Sequence, residues 1–279
     1  MDSMITLIYT TDLENTSFVQ ECKDKGIRCI PIVDARSAVY VATGICAQNQ
    51  SKVAVCVDGG NTSRSTFSGM TEAYYRKLPV ALITIGKKLN YTRKLNDVVV
   101  EHYTASNYVE VQQLLDKEFP MHIELLTEYQ THKKIECDHL QKILNSVLDE
   151  STYLYVSQGI KKVALPHKGK VVYGGMPDCY EGAMANVLGA SLVGKHKKYV
   201  GLISEDECIH DINTLGNINM NDLVFYIVIA SGKNKMILDC VNAMKFEVCE
   251  IKSDYLKSDD IKRMISSKKK GFLLVYKEG

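Results

Sequence analysis

Apolar and polar positions alternate along this chain in two registers. Short β-branched and aliphatic runs occur at Ile5–Tyr9, Cys29–Val33, Val53–Val57, Val80–Ile85 and Val98–Tyr103, and each reads as a strand. Longer segments with helical periodicity separate them, over residues 14–25, 36–49, 63–77 and 107–118. Strands alternating with helices in this way predict a parallel sheet with helices on both faces. A proline-led strand, Phe119–Glu124, closes the first half.

Residues 127–137 are polar and read as a linker, after which the alternation restarts. Helices over 138–149, 181–193, 207–216, 235–245 and 258–267 precede strands at Thr152–Ser157, Tyr199–Ile203, Leu223–Ala230, Glu247–Ile251 and Gly271–Tyr276. The predicted architecture is therefore α/β, with two tandem units at 1–126 and 138–279. Each unit is a mostly parallel sheet with helices on both faces. No short-period repeat or low-complexity segment interrupts the pattern.

Composition narrows the function classes. A chain of 279 residues, 46% hydrophobic and 24% charged, has ample apolar material for two cores and is not a disordered chain. Its net charge of +1 provides no field to recruit nucleic acid or an anionic membrane surface. No apolar run approaches membrane-spanning length, and the N-terminus lacks the basic region of a secretory signal. Nine cysteines lie scattered, with no CxxC pair, which suits reduced and mostly buried thiols in a cytoplasmic protein. The seven histidines show no metal-ligand spacing.

Two stretches carry the chemistry. The first runs from Asp34-Ala35-Arg36-Ser37-Ala38 through the strand Val53–Val57 and the turn Asp58-Gly59-Gly60-Asn61-Thr62 to Thr71–Tyr75 and Leu78–Thr84. The second runs from Gly174-Gly175-Met176 through Gly189–Leu192, the strand Tyr199–Ile203 and Ser204-Glu205-Asp206 to Leu223–Ala230. The first resembles the pyrimidine-binding domain of thiamine-diphosphate enzymes, especially acetolactate synthases and the menaquinone-pathway carboligase. The second resembles their diphosphate-binding domain. The direct joining of the two is similar to the layout of sulfopyruvate and phosphonopyruvate decarboxylases.

The resemblance implies a cytoplasmic decarboxylase or carboligase acting on a 2-oxo acid with thiamine diphosphate and Mg²⁺, as a homodimer or homotetramer. It places Gln158, Gly174, Gly175, Cys179, Ser204 and Asp206 near the cofactor, and Glu205 and Ser231 at the metal. Gly59, Gly60 and Asn61 fall at the substrate pocket; a plain turn that needs glycine accounts for them equally well. Ala35 falls at the family's catalytic glutamate, which drives proton transfer on the cofactor. An alanine cannot give or take a proton, although one glyoxylate-specific carboligase type works with an aliphatic residue there.

Other departures gather at the same site. Ser204-Glu205-Asp206 stands in place of the family's Gly-Asp-Gly, and Ser231 in place of its metal-binding asparagine. Glu205-Asp206-Glu207 also reads simply as the acidic first turn of a helix, complementing its dipole. The alternative expectation is thus an inactive member serving as a binding or assembly subunit, with or without an intact partner chain that supplies the missing groups.

Overall fold

The computed structural model describes residues 6–86, 97–127, 134–162, 168–174, 181–216 and 222–276. Contacts divide the chain into two compact units, Met1–His132 and Lys133–Gly279. Ile135, inside the segment read as a linker, pairs with Ile160 and so packs within the second unit. Among the described residues no helix is long and apolar enough to cross a membrane.

The first unit runs β1 (Thr6–Thr10), α1 (Ser17–Asp24), β2 (Arg28–Ile32), α2 (Ala35–Asn49), β3 (Val53–Asp58), α3 (Phe67–Tyr75), β4 (Val80–Gly86), β5 (Glu101–Ala105), α4 (Tyr108–Leu114) and β6 (Met121–Leu126). Its strands are all parallel, in the order β2-β1-β3-β4-β6-β5. Successive strand residues point to opposite faces. Leu7, Tyr9, Ala54, Cys56, Ala81 and Ile83 pack with α1 and α4 residues, whereas Ile8, Val53, Val55, Val57, Val80 and Leu82 pack with those of α2 and α3. Burial on both faces explains why these strands read as unbroken apolar runs.

The second unit runs α5 (Asp138–Val147), β7 (Thr152–Val156), β8 (Lys170–Tyr173), α6 (Ala183–Val193), β9 (Lys198–Ser204), α7 (Glu205–His210), β10 (Val224–Ala230), α8 (Lys235–Ala243), β11 (Glu247–Lys252), α9 (Ser258–Ser266) and β12 (Gly271–Tyr276). Its parallel order is β8-β7-β9-β10-β12-β11. Subtracting six from each label gives 2-1-3-4-6-5, the order of the first sheet. The expected fold, two tandem α/β units each built on a parallel sheet, is what the chain forms.

In both units the chain leaves one central strand toward one edge and its neighbour toward the other. This happens between β1 and β3, and again between β7 and β9. Such switch points open a crevice at the carboxyl ends of the strands, where ligands of open α/β sheets bind.

Four elements differ from the sequence reading, the first being the helix expected over 63–77, which forms as a 3-10 turn, Asn61–Thr66, followed by α3. The strand expected at Val98–Tyr103 forms at Glu101–Ala105, because Val98 and Val99 bury themselves in the preceding turn without pairing. The helix expected over 207–216 starts at Glu205, ends at His210 and continues as a 3-10 turn, Ile212–Gly216. Strand β8 was not anticipated: Lys170-Val-Val-Tyr173 is a four-residue, half-exposed edge strand that offers little periodicity.

Candidate functional site

The carboxyl ends of β7 and β9 meet at the switch point of the second unit, and a carboxylate sits there. Ser204 ends β9 with extended dihedrals and caps α7. Its side chain accepts from the Glu207 backbone N–H while the Glu207 side chain reaches back to the Ser204 backbone N–H, a reciprocal capping box. Glu207 is only 2% exposed. Its Oε2 accepts from the hydroxyl of Ser157, just past β7, from the Ser204 hydroxyl at 2.6 Å and from the Ser204 N–H at 3.3 Å. Its Oε1 accepts from the Gly159 N–H at 3.1 Å. A carboxylate offers only acceptors, and every group turned toward this one is a donor. Gly159 has to be glycine for the loop to come this close, since a Cβ there would lie 2.5 Å from Ser204 Oγ and 2.8 Å from Glu207 Oε2.

Two more carboxylates of the same segment turn to other donors. Glu205 Oε2 accepts from the Ser231 N–H and hydroxyl, both at 3.1 Å, and its Oε1 accepts from the Asn234 amide at 2.8 Å. Asn234 in turn caps α8, its Oδ1 accepting from the Ile237 N–H at 3.1 Å. Asp211 reaches the first turn of α6, whose cap residue is Gly182, and accepts from the Ala185 N–H at 2.8 Å. Burial pushes the Asp211 carboxyl up from its ordinary value, against hydrogen bonds from Ala185, Thr214, Met184 and Gly182 that lower it.

Other sequence-predicted residues fall as follows. Gln158 and Gly174 come together at the ends of β7 and β8; a Cβ on Gly174 would lie 3.0 Å from the Gln158 nitrogen. Ser204 is buried, and Asp206 is exposed in the first turn of α7. The acidic run is therefore a helix start, as the dipole reading anticipated. Glu205 and Ser231 are in direct contact. Gly175 and Cys179 lie outside the described residues.

In the first unit, Ala35 is the first residue of α2 and is wholly buried among Ile8, Val39 and Val55. Asp34 caps that helix, accepting from the Ser37 N–H at 2.8 Å. Gly59, Gly60 and Asn61 form the turn after β3. There Asp58 accepts from the Gly60 N–H at 2.7 Å, the Gly59 N–H donates to the Ile85 carbonyl at 2.8 Å, and the Ser63 hydroxyl donates to the Gly60 carbonyl at 2.7 Å.

The groups around Glu205 do not fit Mg²⁺. A hard cation needs several oxygen lone pairs in tight octahedral geometry. Glu205 instead faces hydrogens from Ser231 and Asn234, and the Asn234 amide oxygen is held by the Ile237 N–H of α8. Among the described residues no three His, Cys, Asp or Glu side chains are grouped to hold a metal. A diphosphate fits no better at the switch point, because the donors there already face a carboxylate. Asn234 and Asp211 were not singled out from the sequence, and Glu207 was read only as part of the acidic first turn. For Glu207 the signal was present, since Ser204-x-x-Glu207 is the pattern of a capping box.

Scans against protein-family models and against curated proteins find no match. Solved structures that align with the chain include the thiamine diphosphate-dependent 4-hydroxybenzoylformate decarboxylase of Rhodococcus jostii RHA1, at 6% identity over 98% of this chain and 96% of that one, with a TM-score of 0.36. Another is a Mycobacterium smegmatis protein assigned as a thiamin diphosphate-dependent enzyme, at 8% identity over 99% and 97%, with a TM-score of 0.37. Overlap this low decides nothing about activity.

Proposed function

We propose that this chain is a cofactor-free relative of the two-unit thiamine-diphosphate enzymes, retained as a binding or assembly subunit. The observation that carries the reading is the set of three diverging carboxylates. Glu205, Glu207 and Asp211 each hold donors of the chain itself, and the exposed Asp206 that remains offers too few ligands for a metal and the wrong charge for a diphosphate. Ala35 agrees with this, because a buried methyl group cannot move the proton that activates the cofactor.

An assembly role is supported by the outer faces of α2 and α3. These helices cross closely at Gly69, where a Cβ would meet Val39 Cγ1 at 2.7 Å. They leave Tyr40, Val41, Phe67, Tyr74 and Tyr75 exposed. A dimer formed through these two helices would remove the exposed apolar side chains from water, and a second copy of this chain is the occupant proposed.

Titration calorimetry with thiamine diphosphate and Mg²⁺ tests the cofactor half: the expectation is no saturable heat at millimolar ligand, and a saturable isotherm overturns it. Sedimentation of the wild type against the double variant Tyr40→Ser/Phe67→Ser tests the assembly half. The wild type should be a dimer and the variant a monomer; a monomeric wild type, or a variant that dimerises equally well, refutes it.

A further inference from the structure

The Glu207 carboxylate has no catalytic assignment, yet it lies where the topology of the second unit opens its crevice. Four donors converge on it from three separate places: Ser157 after β7, Gly159 in the following loop, and the hydroxyl and N–H of Ser204 at the end of β9. Among the described residues these four donors are neutral hydroxyls and backbone N–H groups. Donors arranged around an anion at strand ends form the kind of concavity that takes a phosphate or carboxylate ligand. Gly159 is required for that concavity, because any side chain there would enter it.

We infer that Glu207 is a resident anion, occupying an anion cradle that the second unit would otherwise present to a small oxyanion ligand. The cradle is closed in the wild type by the chain itself. Truncating the side chain leaves Ser157, Gly159 and Ser204 pointing their hydrogens into a space sized for a carboxylate. The buried donors then lack an acceptor, and a small anion from solution supplies one. The ligand class is a compact monoanion such as formate, with inorganic phosphate as the larger member.

The test compares the full-length wild type, Glu207→Ala and Glu207→Gln by thermal unfolding. Each is scanned in sodium formate, in inorganic phosphate and in sodium chloride at matched ionic strength. The wild-type midpoint should be the same in all three salts. Glu207→Ala should melt lower in chloride and recover saturably in formate by about 5 °C, with phosphate giving an equal or smaller rise. Glu207→Gln should not respond to formate, because its amide still fills the space. If Glu207→Ala does not fold in chloride, recovery of its circular dichroism in formate is the expected result.

The inference is overturned if Glu207→Ala shows no rise or recovery beyond chloride, or if phosphate saturably stabilises the wild type. It does not depend on the assembly reading. Wild-type binding of thiamine diphosphate would refute the proposed function, whereas an Ala variant indifferent to anions refutes only the resident-anion assignment.

Discussion

Acidification should destabilise the first unit through one buried imidazole. His122 on β6 is 3% exposed. Its Nε2 is hydrogen bonded to Thr84 Oγ1 at 2.7 Å and its Nδ1 to His102 Nδ1 at 2.8 Å, with the two rings edge-to-face. Between two Nδ1 atoms only one proton fits, so a second charge at this spot is opposed by geometry as well as by burial. Burial first, and the His102 neighbour second, lower the His122 pKa from 6.5 to about 3. The folded state therefore keeps the neutral ring while the unfolded chain takes up a proton below 6.5. Stability is full above that value and falls as pH drops toward 3. At about 1.4 kcal/mol per pH unit, the loss reaches about 3 kcal/mol by pH 4.5 and about 5 kcal/mol at its limit. Urea unfolding of the wild type and of His122→Gln between pH 7 and 4.5 measures it. The wild type should lose about 3 kcal/mol more than the variant. Imidazole NMR should find His122 neutral throughout that range. Parallel pH slopes for the two proteins, or a His122 signal titrating near 6.5, would refute the reasoning.

The other expectations concern single side chains. Thermal midpoints of the wild type should be equal in EDTA and in millimolar Mg²⁺, while Glu205→Ala loses about 1–2 kcal/mol from Ser231 and Asn234 in either condition; a Mg²⁺-dependent rise confined to the wild type would contradict the hydrogen-bond assignment. Gly69→Val should destabilise by about 1–3 kcal/mol in urea titration, because the added carbons meet Val39 at the α2–α3 crossing. Lys198 is 4% exposed, and its Nζ donates to the Ser267 carbonyl at 2.9 Å and the Lys269 carbonyl at 3.3 Å. Lys198→Met should leave these acceptors unmet and lower stability by about 1–3 kcal/mol. Ala35→Glu should confer no cofactor turnover and should destabilise, since it forces a carboxyl into the fully buried apolar cluster that holds Ala35.

The parts of this fold that were legible in the sequence are those whose side chains face apolar neighbours on both sides. Val53–Val57 and Leu223–Ala230 could be read directly because a central parallel strand tolerates little else. The edge strand Lys170–Tyr173 could not, since one flank of it is open and four residues give no period. Val98 and Val99 misled for a related reason: they are buried like strand residues but in a turn. At the candidate site the resemblance put Glu205 and Ser231 together as metal ligands, and the structure brings them together at the ends of adjacent strands, β9 and β10, as hydrogen-bond partners. The partners of Glu207 were not foreseen, because Ser157 and Gly159 lie about fifty positions away and only the sheet order brings them near.

The two units share a strand order, and both switch points carry an internal carboxylate, though the two are held by different means. In the first unit Asp58 ends β3 and ties its own turn through the Gly60 N–H, a contact between near neighbours in sequence. In the second, Glu207 bridges from the helix after β9 to the loop after β7. The first arrangement fixes a turn. The second joins the two strand ends that define the crevice, so its removal changes what the crevice can bind. The three carboxylates around α7 also point apart, toward the ends of β7, α6 and α8. One substitution could reopen one of these contacts, but the other two would still hold their donors. Replacing Ala35, which lies in the first unit, touches none of these three sets of hydrogen bonds.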